Sequence, residues 1–239
     1  LIIFSFLLSS IFSRISIAIF IFNHYGSIPC KKHRSAIYFL LQALEKHLFP
    51  ASLFLGDKTT GAVWQVKIND PSATEELTRG QVKSLRGLAA FGQRLAILED
   101  TTLDFVDLKN GSVVASDLVV KASEINDFVN YNGNLYFLSV SQNQVQRSSA
   151  TNDGFGKPIN WLKEEVNLEK AKSLGVNGSV FVLQENGQII KFEGGKRVDF
   201  SLSGLAGPLP NDLYIYTGTG LSDIYLVSKG SPKIYKFSD

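Results

Sequence analysis

Residues 132–147 read NGNLYFLSVSQNQVQR: a glycine turn, an apolar run of β-formers, a polar turn, then a second strand in which polar and apolar residues alternate. Asn-Gly between two strands is a strong hairpin signal, because both central residues of the tight turn take positive φ. The apolar run recurs through the chain as LFLGD at 53–57, LAILE at 95–99, LYFLS at 135–139, VFVLQ at 180–184 and IYLVS at 224–228. Successive starts are 42, 40, 45 and 44 residues apart. Each run is followed, after a short polar turn, by another β-forming segment: AVWQVKI at 62–68, LDFVDL at 103–108, QVQRS at 144–148, QIIKFE at 188–193 and KIYKF at 233–237. The repeating unit is therefore a hairpin.

Three runs have a further strand before them, at 85–91, 125–131 and 172–176, closed by Gly92, Asn132-Gly133 and Asn177-Gly178. Outer strands are read at 112–118 and 197–202. A period of 40 to 45 residues with about four antiparallel strands is the signature of a β-propeller blade. The connections are too short for the crossover helices of a parallel α/β fold. The expected fold is all-β: a propeller over 51–239 with about five visible four-stranded blades, and six if sequence is missing. The first repeat lacks a clear inner strand and the last lacks an outer one. Residues 156–171, GKPINWLKEEVNLEKA, are expected to hold one or two helical turns between blades. Trp161 is read there as a plug for the sheet edge, and Trp64, alternating with Val63 and Val66, as core.

Residues 132–147, 177–192 and 222–237 resemble NHL-type and related propeller repeats, with a glycine turn, a strand, a polar turn, and a strand ending in Lys or Arg before an aromatic. The resemblance implies a propeller and says little of function, since such propellers serve as extracellular sensor domains, scaffolds, RNA binders and enzymes.

The first 50 residues are different in kind. Residues 1–22 contain 16 apolar residues, five serines and one charge, Arg14. About 20 residues cross a bilayer as a helix, and the 15 Leu, Ile and Phe here outweigh a central arginine at about +2.5 to 3.5 kcal/mol. The expectation is an N-terminal hydrophobic helix acting as an uncleaved membrane anchor. The basic cluster Lys31, Lys32 and Arg34 follows the apolar run instead of preceding it, which does not fit a cleavable signal peptide. Residues 23–50 read as a basic linker with an amphipathic helix at 35–48, ending at Pro50. The positive-inside rule would hold the basic flank in the cytoplasm, whereas the resemblance leans to an extracytoplasmic propeller. The chain begins at Leu1 and contains no Met, which suggests a fragment or a rewritten start codon.

Charge divides at the same place. Residues 1–50 carry five basic groups and one acid; the remaining 189 carry 19 basic and 21 acidic groups. The propeller region is faintly acidic, which argues against nucleic acid as a partner, since affinity there comes mainly from neutralising phosphates. His24, His33, His47 and the single Cys30 all precede Pro50, so the body has no imidazole or thiolate chemistry. The turn at 57–61, DKTTG, is followed by a strand and does not read as a phosphate loop. Asn177-Gly178-Ser179 fits a glycosylation pattern but reads as turn chemistry.

Propellers bind ligands at the channel mouth, where inner strands begin. The candidate residues there are Arg86, Asp127, Lys172 and Asp212, with Asn126 and Asn211 beside the two acids. The bland alternative is a ring of mutually paired charges in a wet channel. The sequence favours a non-enzymatic, membrane-tethered propeller that senses a ligand or binds a protein, without cofactor or resident metal. The alternatives are a lactonase-like hydrolase using calcium or magnesium at the channel mouth, for which Asn126–Asp127 and Asn211–Asp212 are the only adjacent pairs placed to supply ligands, and a soluble scaffold with an artefactual N-terminus.

Overall fold

The structure, a computed structural model, describes Ile3–Leu7, Ile17–Phe22 and residues 52–238, apart from 68–69, 92, 117, 119, 152–153, 204–208, 211 and 229–233. Five sheets form a ring of five blades. The first contains β1 (Ile3–Leu7), β2 (Ile17–Phe22), β3 (Ser52–Asp57), β4 (Val63–Lys67) and β5 (Asp70–Glu76), in that order. The second runs β6 (Gly87–Phe91), β7 (Arg94–Leu98), β8 (Leu103–Asp107), β9 (Val113–Ala115). The third runs β10 (Asp127–Tyr131), β11 (Asn134–Ser139), β12 (Gln144–Ser148), β13 (Ile159–Asn160). The fourth runs β14 (Ala171–Val176), β15 (Val180–Gln184), β16 (Ile189–Glu193), β17 (Lys196–Val198). The fifth has three strands, β18 (Leu213–Tyr216), β19 (Asp223–Ser228) and β20 (Ile234–Ser238). All pairings are antiparallel except β2 with β3. The inner strands β6, β10, β14 and β18 are successive neighbours, and β1 lies beside β18 and β6, closing the ring.

The five repeated runs are β3, β7, β11, β15 and β19, and they are apolar through their centres because each blade is buried on both faces. Phe181 and Leu183 of β15 pack toward the fifth blade, while Val180 and Val182 pack toward the third. Blades two and three meet through Ala96, Leu98 and Phe105 on one side and Phe128, Leu135 and Phe137 on the other. Blades one and two meet through Phe54 and Val63 against Leu88, Leu95 and Ile97. The approach is close at Gly87, where a Cβ would stand 2.8 Å from the Phe128 ring. The hairpin turn between β10 and β11 has φ +48° at Asn132 and +78° at Gly133, as its Asn-Gly dipeptide requires.

The all-β, five-bladed expectation is borne out, and the last sheet has no fourth strand among the described residues. Three further strands appear in the first blade that the repeat pattern did not reveal: β5, whose Pro71 suits an outermost strand because it has no N–H to donate, β2, parallel to β3, and β1, antiparallel to β2. The expected helical turns in 156–171 are absent. That segment holds β13 and then an irregular path, because its amides are bonded elsewhere: Trp161 N–H to Val145 O, Leu162 N–H to Gln144 Oε1, Lys163 N–H to Gly195 O and Leu168 N–H to Asn143 Oδ1. Trp161 packs edge-on against Tyr136, with ring centroids 6.2 Å apart, on the core between blades three and four. Trp64 is half-buried on β4, whose Val63 and Val66 are buried.

Within 1–22, the two described stretches are strands, and the residues between them lie outside the described residues, so a helix spanning 1–22 is not observed. The expected helix at 35–48, the basic cluster and Cys30 also lie outside the described residues. Among the described residues the only helical element is a single 3₁₀ turn, Ala122–Glu124, and none is long and apolar enough to cross a membrane.

Candidate functional site

The inner strands point the same way around the channel, as cross-blade contacts at their ends indicate. Where they finish, the Asn132 N–H donates to Thr219 Oγ1 at 3.1 Å, and the Tyr131 hydroxyl stands 3.4 Å from where a Cβ on Gly178 would lie. Turns from the third, fourth and fifth blades thus draw together at that end. Where the strands begin, polar side chains gather.

Asp127 opens β10. Its Oδ1 accepts the Phe128 N–H at 2.9 Å, and its Oδ2 accepts the Leu174 N–H of β14 at 2.8 Å. Burial of the carboxylate raises its pKa from 3.8 to about 6; the Leu174 and Phe128 amides, the Ser173 hydroxyl and the Lys58 charge oppose that rise without cancelling it. Ser173 carries the connection onward. Its buried Oγ accepts the Ile215 N–H of β18 at 3.3 Å and lies 3.5 Å from the Ile215 carbonyl oxygen, to which it can donate. One polar thread therefore runs through three consecutive inner strands.

Lys172 places its ammonium over the Tyr214 ring, 5.3 Å from the centroid. Asp212 accepts a hydrogen bond from Ser228 Oγ at 3.0 Å. Tyr214 has its pKa raised by burial first and then by the charges of Asp127 and Asp212, which places all three side chains in one electrostatic neighbourhood. Lys58, from the turn after β3, reaches the same neighbourhood through its effect on Asp127. The mouth is thus bordered by side chains from the first, third, fourth and fifth blades.

Of the six residues expected from sequence, Asp127, Lys172 and Asp212 come together. Arg86 instead holds backbone: Nη1 donates to Ala122 O at 2.9 Å and Nη2 to Ile125 O at 2.6 Å, binding the start of the second blade to the approach of the third. Asn126 is exposed and its Oδ1 accepts the Val140 N–H at 2.8 Å, bracing a turn. Asn211 lies outside the described residues. Sequence reasoning missed Ser173, Tyr214 and Lys58. Ser173 had a signal, being a small polar residue that follows Lys172 and precedes the apolar Leu174–Val176 of the inner strand. Lys58 had none, since its turn belongs to a blade distant in sequence from Asp127. Among the described residues no three His, Cys, Asp or Glu are grouped to hold a metal ion.

No protein-family model matches the chain, and no curated protein matches it. Solved structures do. A structure titled as a nidogen/laminin complex superposes with a TM-score of 0.53 at 13% identity, covering 77% of this chain and 70% of that one. Virginiamycin B lyase from Staphylococcus aureus gives 0.50 at 9% identity, covering 79% and 62%. The extracellular domain of BT4673, a one-component system from B. thetaiotaomicron described as putative in its own name, gives 0.49 at 13% identity, covering 79% and 25%. The chain thus spans less than two thirds of the lyase and a quarter of the BT4673 chain. At these identities the likeness concerns the propeller fold alone.

Proposed function

We propose that this chain is a non-enzymatic propeller that binds a small or peptidic ligand at the channel mouth, as a sensing or interaction domain. The observation that carries the reading is the convergence of Lys58, Asp127, Lys172, Asp212 and Tyr214 from four blades at one end, while turns draw together at the other. Mixed charges beside an aromatic ring suit a ligand bearing both signs, such as an amino acid or a peptide terminus. Both Asp127 oxygens already accept backbone N–H groups, an arrangement better suited to holding blades together than to cycling a proton or a metal. The resemblance of the repeats to the NHL type is in keeping with an interaction role.

The test is a thermal-shift screen of amino acids and short peptides against the full chain and against Lys172→Ala and Asp212→Asn. A stabilising ligand whose effect is lost in both variants supports the reading. Calcium- or magnesium-dependent turnover of an ester or lactone that requires Asp127 and Asp212 would replace it with the hydrolase.

A second reading, membrane tethering through residues 1–22, is favoured by their 16 apolar residues and the basic flank that follows. It competes for the residues of β1 and β2 in the first blade. Fractionation of the full chain, with protease protection of the propeller, separates the two: recovery with membranes supports the tether, and recovery in the soluble fraction with β1 protected sinks it. Protection of the propeller in sealed vesicles or its digestion would then report its side of the membrane.

A further inference from the structure

We propose that the groove between the second and third blades, on the outer rim of the ring, is a separate docking site for an extended acidic–apolar segment of a partner protein, which adds as a strand to the outer edge of β9. The inference goes beyond the channel-mouth reading and stands without it.

The groove holds about 350 Å³. One wall is β8 and β9. The other is the loop after β12, folded on itself by the Ala150–Phe155 bridge and by hydrogen bonds from Thr151 N–H to Gly154 O and from Gly156 N–H to Ser149 O. The two walls touch through Phe105 and Phe155, whose rings stack with centroids 5.5 Å apart and planes 21° from parallel. The lining is therefore aromatic at its base and small or backbone-rich at its rim, where Ala115, Ser116 and Gly154 leave room for another main chain.

Strand register orders the chemistry along this wall. Phe105 stands directly opposite Ala96 on β7 and Val114 on β9, making one apolar row. Arg94 stands opposite Asp107, making a charged row two residues along. Rows two residues apart on one face are separated by about 6.8 Å, the repeat of an extended peptide's alternate side chains. An added strand would thus set one side chain on the apolar row and the next same-face side chain beside the charged one. Main-chain pairing supplies affinity in such complexes, and alternate side chains supply specificity.

Two features give the occupant its chemistry. Val114 is 57% exposed, the most exposed large hydrophobic among the described residues, and it sits on the strand that ends its sheet. A neighbouring strand would cover it. The Arg94 side chain is exposed and forms no hydrogen bond or ion pair with a described residue, although Asp107 faces it across the ladder. Asp107 instead accepts the Lys109 N–H at 2.8 Å. Among the described residues that line the groove, Arg94 and Asp107 are the charged ones, and the Arg94 guanidinium is the group open to a carboxylate on the partner.

The probe is a fluorescein-labelled peptide carrying phenylalanine and, two residues on, aspartate, with serines between and around them, titrated into the full chain and followed by anisotropy. Saturable binding is expected, weakened about tenfold when asparagine replaces the aspartate or when the protein carries Arg94→Glu. Val114→Lys should weaken it as well, and both protein substitutions fall at exposed positions that leave the core alone. Backbone amide shifts on binding should centre on 112–118 and 151–156. Lys172→Ala, at the channel mouth, should leave this binding unchanged. Absence of saturable binding, indifference to both groove substitutions, or amide shifts centred on Lys172 and Tyr214 would each overturn the proposal.

Discussion

Asp127 and Leu174, 47 residues apart, are joined by a 2.8 Å hydrogen bond in which the carboxylate of one inner strand accepts the backbone N–H of the next. The bond ties the third blade to the fourth at the channel mouth, and the carboxylate that makes it resists ionisation because of its burial. The consequence for stability has a definite sign. A group whose folded pKa lies above its unfolded value contributes most below the unfolded value, and that contribution is lost as pH rises to the folded one. For Asp127 the window runs from 3.8 to about 6. At about 1.4 kcal/mol per pH unit, about 3 kcal/mol is lost across it. Asp127→Asn cannot ionise, so urea denaturation of the two proteins should show the wild type losing stability relative to the variant as pH rises from 4 to 6. A stability difference that stays constant over that interval would show that Asp127 ionises freely in the folded state.

Arg86 sits at the mouth but points its fork at the backbone. Loss of two charge-assisted hydrogen bonds, to Ala122 O and Ile125 O, is expected to cost about 2–3 kcal/mol in Arg86→Ala. Lys offers one point charge in place of the planar fork, so Arg86→Lys should recover only part of it. Urea midpoints check this. If Arg86→Ala unfolds with the wild-type midpoint while losing a channel ligand, Arg86 is a binding residue after all.

Phe181 is fully buried between the fourth and fifth blades, with its ring edge-on to Phe200 at 5.6 Å. Phe181→Ala should cost about 3–5 kcal/mol through lost transfer energy and the cavity left behind. Val114→Ala, at an exposed position, should change stability by less than about 0.5 kcal/mol. Equal losses at the two sites in denaturant titrations would contradict the packing described.

The blades were legible in the sequence because strands buried on both faces must be apolar at every position, and LAIL, LYFL and VFVL can hardly be anything else once they recur at a blade's spacing. The inner strands were legible through their Asn-Gly and glycine turns. β5 was hidden because an outer strand is solvated and its DPSATEE reads as a loop. The helical turns expected around Trp161 failed for a related reason: local composition favoured helix, while Val145, Gln144 and Gly195, all beyond the reach of local propensity, offered partners for its backbone. At the mouth, position along the inner strand pointed to Asp127, Lys172 and Asp212, which lie near Tyr214 because the ring brings equivalent positions together. It could not tell that Arg86 and Asn126 turn toward backbone groups, because that depends on where neighbouring loops leave a carbonyl or an amide exposed.

The turn between β10 and β11 makes the last prediction, and it separates backbone conformation from side-chain contact. Gly133 has φ +78°, and a Cβ placed on it would meet nothing closer than Ala150 Cβ at 3.9 Å. Space is therefore available, and the cost of Gly133→Ala is conformational, about 1–2 kcal/mol for an L-residue held in the left-handed region. Gly87→Ala reverses the situation: its φ is ordinary, but the new Cβ would stand 2.8 Å from Phe128 Cε1. Relief there has to come from the Phe128 ring. Pairing Gly87→Ala with Phe128→Leu should therefore restore part of the loss, whereas the same second change beside Gly133→Ala should simply add to it. Double-mutant cycles by urea denaturation measure both. Additivity in the Gly87 pair would mean that the second and third blades do not meet as closely as this ring requires.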